Sequence, residues 1–555
     1  MAQQLRITPQ AKNRHNASFN RSNLFFAALL FACLLPGCSG NFPRLSDEDQ
    51  QKVGMSETEF FRHYVVVERD GYPLGKDDKP TPTLDFKKQI EDAVKASLQA
   101  PPDNCPAGNK SCPIRLLLFV HGGLNSYRSD FQRMVALMKK DDGLLSKSKT
   151  AYHPIFVNWN SSLDTVADDL LWIRLGDRMS DLGPISFPFL LPARMALAMA
   201  NVPVRLAHTV NSYKEYCDFA SDVKTCGTSV DDYVSWGMFP FYTLTAPILE
   251  SFGSPAWYQM KRRAKLATAS RLTTISDHKW ASDADKTRFN NAEGAALTLV
   301  TTLGEALKQQ PRPVEVTLVG HSMGAFIVNR MLAAVTEMEC AEAVSSDTKP
   351  CSKPKAILPI KNIAYLAPAS PIDEFDNITL PFVGNHPDTH AWLFTLNRKD
   401  EAGEYSTWAQ RIVPRGSLLT WIDGIFEPAS SLGEKTLGRM ANLEKYYAAD
   451  HGGYQLACPS EGKQDTPAYG FRSVKLKIGR ENSSAGTNRV HVYQSLGYCQ
   501  DKHQGPEVHG DFSQPRYLGQ VLCMMDKSAF KQADYCTTEP GETLPGIRRL
   551  PPWYD

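Results

Sequence analysis

The stretch Val314-Glu315-Val316-Thr317-Leu318-Val319-Gly320-His321-Ser322-Met323-Gly324-Ala325-Phe326-Ile327-Val328-Asn329-Arg330-Met331-Leu332 decides how the chain is read. Its opening residues are largely apolar and β-branched, which predicts a strand, and its closing residues predict a helix. Between them, Gly320-His321-Ser322-Met323-Gly324 matches G-x-S-x-G, a strained strand-to-helix turn that pushes a serine hydroxyl outward. The five-residue pattern alone is common. Its position between a strand and a helix makes it specific, and Ser322 becomes the candidate nucleophile.

Working outward, Ile114-Arg115-Leu116-Leu117-Leu118-Phe119-Val120 is nearly continuous in apolar residues, which suits a parallel strand covered on both faces. Further strands are expected at 64–68, 154–158, 362–366, 391–396 and 489–493, and helices at 84–98, 127–140, 323–337 and 515–526. Repeated strand-then-helix order predicts an α/β fold with a largely parallel central sheet flanked by helices. Residues 165–285 break that rhythm with apolar and aromatic runs such as Phe187-Pro188-Phe189-Leu190-Leu191, and are expected as a mostly helical insertion. It reads equally as extra helices on the core or as a lid over a site. A second insertion is expected at 405–470.

A serine nucleophile needs donors for the charge that develops on a carbonyl oxygen. His121-Gly122-Gly123 ends the strand at 114–120 and fits such a loop, with the N–H of Gly123 joining that of Met323, the residue after the serine. Leu124 is a second possible donor. His121 and His321 are read as structural, since their positions do not suit the base.

These motifs in this order resemble the α/β-hydrolase superfamily of esterases and lipases. More narrowly, Phe119-Val120-His121-Gly122-Gly123-Leu124-Asn125-Ser126-Tyr127, Pro154-Ile155-Phe156-Val157-Asn158-Trp159, the serine turn and Leu366-Ala367-Pro368-Ala369-Ser370-Pro371 look like a bacterial branch of it. The resemblance covers about 113–160 and 313–402, with a weaker match at the end and none over 165–285 or 405–485, and implies the chain order Ser, acid, His. On that order Asp400, after the strand at 391–396, is the expected acid, with Glu401, Glu404, Asp373 and Asp376 as alternatives. His509, before the closing helix, is the expected base, with His451 and His503 behind it. A histidine suits the task because its pKa near 6.5 lets it take and return a proton at neutral pH.

The chain starts like an exported protein. Its first 46 residues hold no Asp or Glu, and Arg6, Lys12, Arg14 and Arg21 precede the apolar run Leu24–Leu35, too short to span a bilayer. Leu35-Pro36-Gly37-Cys38-Ser39 then resembles the lipobox of bacterial lipoproteins, which makes residues 1–37 a signal peptide, Cys38 the acylated mature N-terminus and 38–57 a tether to a domain over 58–555. A lipid-anchored location in the bacterial envelope follows as an expectation. Of the 12 cysteines, setting aside Cys33 and Cys38 leaves an even number, read as disulfides. Proximity suggests Cys105–Cys112, Cys217–Cys226, Cys340–Cys351 and Cys523–Cys536, with Cys458 and Cys499 left over; connectivity stays open.

With 61 Lys+Arg against 60 Asp+Glu the 555-residue chain has no basic excess, which argues against a general nucleic-acid binder. No C-x2-C, H-E-x-x-H or phosphate-loop pattern occurs, so neither a metal nor another cofactor is expected. The expected function is ester hydrolysis through an acyl-enzyme on Ser322, with an acyl ester or lipid as substrate. An acyltransferase on the same fold and a silent envelope-binding scaffold are the alternatives.

Overall fold

A computed structural model describes residues 43–75, 79–99, 113–123, 125–140, 152–159, 161, 195–201, 239–272, 289, 292–308, 310, 312–344, 356–404, 416–447, 470–474, 476, 478, 487–499, 502–503 and 505–526. Strands Tyr64–Val67 (β1), Ile114–Val120 (β2), Tyr152–Trp159 (β3), Val314–His321 (β4), Ile360–Leu366 (β5), His390–Thr395 (β6), Phe471–Val474 (β7) and Val490–Ser495 (β8) build one sheet. Its order is β1-β3-β2-β4-β5-β6-β8-β7. Every neighbouring pair is parallel except β7 with β8.

The period of two along a strand sends alternate side chains to opposite faces. In β2, Ile114, Leu116, Leu118 and Val120 join one buried cluster, while Leu117 and Phe119 join another. Helices Thr83–Gln99 (α2), Phe239–Ala267 (α4), Ala295–Lys308 (α5) and Gly324–Val344 (α6) cover the first face through Ile90, Trp257, Leu299 and Ile327. Asp47–Val53 (α1), Tyr127–Met138 (α3) and Pro515–Met525 (α8) cover the second through Val53, Phe131 and Leu518. Both faces of the sheet are therefore dry, which is why the strands carry so few polar residues. Burying a side chain such as Leu118, which is wholly enclosed, contributes about 1.5–3 kcal/mol. The α/β architecture with a largely parallel sheet flanked by helices is as expected.

Several elements differ from the sequence reading. Within the stretch expected as a tether, α1 forms with Ser46 as its N-cap and Val53 buried, and Lys52 O accepts Lys140 N–H. Its polar sequence hides it, because Asp49 and Val53 alone turn inward. β7 was not expected, and π-helical turns occupy Phe375–Thr379 and Ile422–Phe426. In the first insertion α4 is described and packs on the core; 165–194, 202–238 and 273–288 lie outside the described residues, as do 405–415 and 448–469 of the second. The signal peptide, Cys38, Leu124 and His451 also lie outside them. Cys340 and Cys523 are each disulfide-bonded, and their expected partners Cys351 and Cys536 lie outside the described residues.

Candidate active site

The chain leaves β2 toward β3 on one side and leaves β4 toward β5 on the other, so the sheet has a topological switch point between β2 and β4. Open parallel sheets bind ligands beyond the carboxyl ends of strands at such a point. Val120 is in register with Gly320, which brings the loop at 121–123 beside the turn at 321–323.

Ser322 has φ 51, in the left-handed region where a side chain is strained by about 1–3 kcal/mol. Its N–H donates to Leu366 O at 2.9 Å, and its carbonyl accepts Ala369 N–H at 3.0 Å and Ala325 N–H at 3.2 Å. The segment after β5 thus grips the turn from both sides. Close packing dictates the flanking glycines. A Cβ on Gly324 would come within 2.3 Å of Val120 O and 2.7 Å of His121 O, and one on Gly122 would come within 2.8 Å of Ser322 Cβ. The nucleophile turn and the loop after β2 touch through residues that have no room for a side chain.

That loop is held by its own polar cluster. Gly122 O accepts from His121 Nδ1 at 2.6 Å, Asn125 Nδ2 at 3.1 Å and Ser161 Oγ at 3.3 Å. Peptide planarity then turns the N–H of Gly123 the opposite way. His121 Nε2 accepts Trp159 N–H at 3.0 Å, and Trp159 Nε1 donates to His121 O at 3.0 Å, so the ring is neutral and stapled to β3. Burial lowers its pKa, consistent with that state. His121 is structural, as expected. Asn125 and Ser161 were not singled out in the sequence, although Asn125 stands in the same His-Gly-Gly-Leu-Asn-Ser run.

Among the described residues, neither the Gly123 N–H nor the Met323 N–H has a hydrogen-bond acceptor. A Cβ on Gly123 would lie 2.9 Å from Met323 Cγ and 3.1 Å from Met260 Sδ, so the two donors sit close together and α4 walls this side of the site. Trp257, also on α4, meets Phe326 edge-on at 5.8 Å between centroids. Trp257 Nε1 and Lys261 Nζ bind the Glu427 carboxylate at 2.6 and 2.5 Å, fixing α4 across the second π-helical turn. The surround is apolar: Trp257, Met260, Met323 and Phe326 are all buried.

His509 opens a short turn, His509–Ser513, shaped by Asp511, whose carboxylate accepts the N–H groups of Glu507 at 2.9 Å and Val508 at 3.1 Å. His321 ties this turn to the nucleophile turn: its Nε2–H donates to His509 O at 3.0 Å, and the two rings lie 5.2 Å apart. Burial and the neighbouring His509 hold His321 well below the usual imidazole pKa. Its expected structural role is this tie. His509 is 7% exposed, and among the described residues neither Nδ1 nor Nε2 has a hydrogen-bond partner. Burial pushes its pKa down to about 4. The structure brings His509 to the nucleophile turn, and the hydrogen bond from Ser322 Oγ to its ring is not formed here. Active-site hydrogen bonds commonly tighten only when substrate binds.

The carboxylates follow β6 on helix Arg398–Gly403 (α7). Asp400 is occupied at its start: its N–H donates to Asn397 Oδ1 at 2.9 Å, and Asn397 Nδ2 donates to its Oδ2 at 2.5 Å. Glu404, the C-cap of α7, reaches the turn of His509, its Oε1 accepting His509 N–H at 2.7 Å. Burial, with smaller contributions from Glu401 and Asp511, pushes the Glu404 pKa up to about 8. Glu401 is buried against Arg439, at 2.5 Å, and Arg439 also binds Asp423 at 3.0 Å. Asp373 and Asp376 lie elsewhere, accepting from Tyr446 at 3.4 and 3.0 Å. His503 pairs with Tyr498 through its backbone, and its side chain is outside the described residues.

Among the described residues no group of three or more His, Cys, Asp or Glu is placed to hold a metal ion. No helix among them is long and apolar enough to cross a membrane. No family model matches the chain, and no curated protein or solved structure does so either.

Proposed function

We propose that the chain is a serine hydrolase of carboxylic esters with an α/β-hydrolase fold. The observation that carries the reading is Ser322 held at φ 51 at the sheet's switch point, with the buried, unpartnered ring of His509 beside its turn. Two uncommitted N–H groups, of Gly123 and Met323, support it.

In this reading Ser322 Oγ bonds to the acyl carbon while its proton passes to His509 Nε2. The carbonyl electron pair moves onto oxygen, which takes hydrogen bonds from Gly123 and Met323. Collapse of the adduct breaks the bond to the alkoxide, which leaves as an alcohol with the proton from His509. Water then repeats the sequence on the acyl-enzyme, giving the acid and free Ser322. The buried walls of Trp257, Met260 and Phe326 suit an apolar acyl group. The lipobox-like run ending at Cys38 adds an envelope location with a lipid anchor to this proposal.

The test is labelling of the purified, oxidised protein with a fluorescent fluorophosphonate, comparing wild type with Ser322→Ala and His509→Ala. Labelling of wild type and of neither variant is expected. A folded wild type that does not label sinks the reading.

A further inference from the structure

We infer that Glu404, rather than Asp400, is the positioning carboxylate that orients His509. The inference rests on the serine-hydrolase reading above and assigns within it a role that the order of the chain alone leaves among several acids.

Three groups in one buried place are short of partners. Glu404 Oε2 is buried with no hydrogen-bond partner among the described residues, although Oε1 of the same carboxyl holds His509 N–H at 2.7 Å. Both ring nitrogens of His509 are in the same condition. Such orphaned groups are rare in a folded interior, because a buried polar atom left unpaired has lost its water without a replacement. Nδ1 is bonded to Cγ and is the ring nitrogen nearer the main chain, so a carboxyl seated at the backbone N–H has one oxygen placed and one to spare for it. An Nδ1–H···Oε2 hydrogen bond satisfies two of the three orphans at once. It also fixes the tautomer that leaves Nε2 free to take the proton of Ser322.

The surrounding helix presents Glu404 for this task. In the first turn of α7, Asn397 engages Asp400 and Arg439 grips Glu401. Asp423 backs Arg439 in turn, leaving α7 clamped with its C-cap directed at His509. The burial that raises Glu404 and lowers His509 leaves the resting pair uncharged on both sides at neutral pH. Contact between them opposes both shifts, because an ionised carboxylate and an imidazolium each stabilise the other.

The experiment compares fluorophosphonate labelling rates of the full-length, oxidised protein in wild type, Glu404→Gln, Glu404→Asp and Asp400→Asn, with a thermal melt of each. Glutamine keeps an oxygen for the His509 N–H and so keeps the structural bond, but it cannot stabilise an imidazolium. Glu404→Gln is expected to melt like wild type and to label about 10³- to 10⁴-fold more slowly. Glu404→Asp should recover part of that loss, and Asp400→Asn should label within a few-fold of wild type. Equal labelling of wild type and Glu404→Gln overturns the assignment alone, as does a loss confined to Asp400→Asn. Absence of labelling in wild type overturns it together with the hydrolase reading. Should Glu404→Gln melt early, the Glu404→Asp and Asp400→Asn pair decides: a slower Asp400→Asn than Glu404→Asp refutes it.

Discussion

Replacing Gly324 by alanine tests the close approach on which the site depends. The added Cβ would lie 2.3 Å from Val120 O, 2.7 Å from His121 O and 2.9 Å from Val120 C. All three are main-chain atoms at the end of a central strand, so no side chain can swing away. An ordinary contact needs roughly 1 Å more, which the backbone must supply by parting β2 from the nucleophile turn; overpacking of this kind costs about 3 kcal/mol. A loss of that size lowers the melting temperature by roughly 3 °C in a domain of about 500 residues. The same displacement moves the Gly123 donor from the Ser322 hydroxyl, and a misplacement near 1 Å lowers reactivity on the order of 10²-fold. Gly510→Ala is the control, since a Cβ there meets nothing within 4 Å. Circular-dichroism melts and labelling rates of both variants form the assay. If Gly324→Ala melts and labels like Gly510→Ala, the packing argument for this glycine is wrong.

Two further outcomes follow from buried charge. Asp423 accepts from Thr436 N–H at 2.8 Å, Arg439 Nη1 at 3.0 Å and Asn442 Nδ2 at 2.7 Å, so Asp423→Ala strands several donors and should cost about 3–5 kcal/mol; a urea midpoint equal to that of wild type refutes this. His509 has a folded pKa of about 4 against an ordinary 6.5, so the folded state binds fewer protons than the unfolded state between those values. Its contribution to stability is present above pH 6.5 and is lost as pH falls toward 4, by about 3 kcal/mol. His509→Gln should therefore lose less stability than wild type over that interval in urea titrations; parallel pH curves would contradict it.

The central strands were legible because both faces of the sheet are covered. Ile114–Val120 has nowhere to place polar residues apart from Arg115, which is half-buried and bonds to Glu315 at 3.3 Å. β7 was not legible for the converse reason: at the sheet's edge its Arg472 and Ser473 are exposed, leaving Phe471 and Val474 as the whole apolar signal. The π-helical turns have no side-chain pattern that separates them from the helices they extend. At the candidate site, the expectation for Ser322, Gly123 and Met323 comes from turn chemistry, and that for His509 from its place before the last helix. The carboxylate does not follow, because Asp400 and Glu404 lie one helical turn apart after the same strand. What separates them is a local capping bond from Asn397 to Asp400 and a bond from His509 to Glu404 across 105 residues, and the second is a tertiary fact.

The pairing of β2 with β4 joins residues such as Arg115 and Glu315, 200 positions apart in the chain. Contacts this distant carry a large loop-closure cost before they return any stabilisation, and folding slows accordingly. The Gly122–Ser322 contact lies at the end of that same long-range seam. Helices can regain their content early in refolding, but reactivity of the serine must await closure of the seam. On the proposed serine-hydrolase reading, recovery of fluorophosphonate labelling should therefore lag recovery of the far-ultraviolet signal.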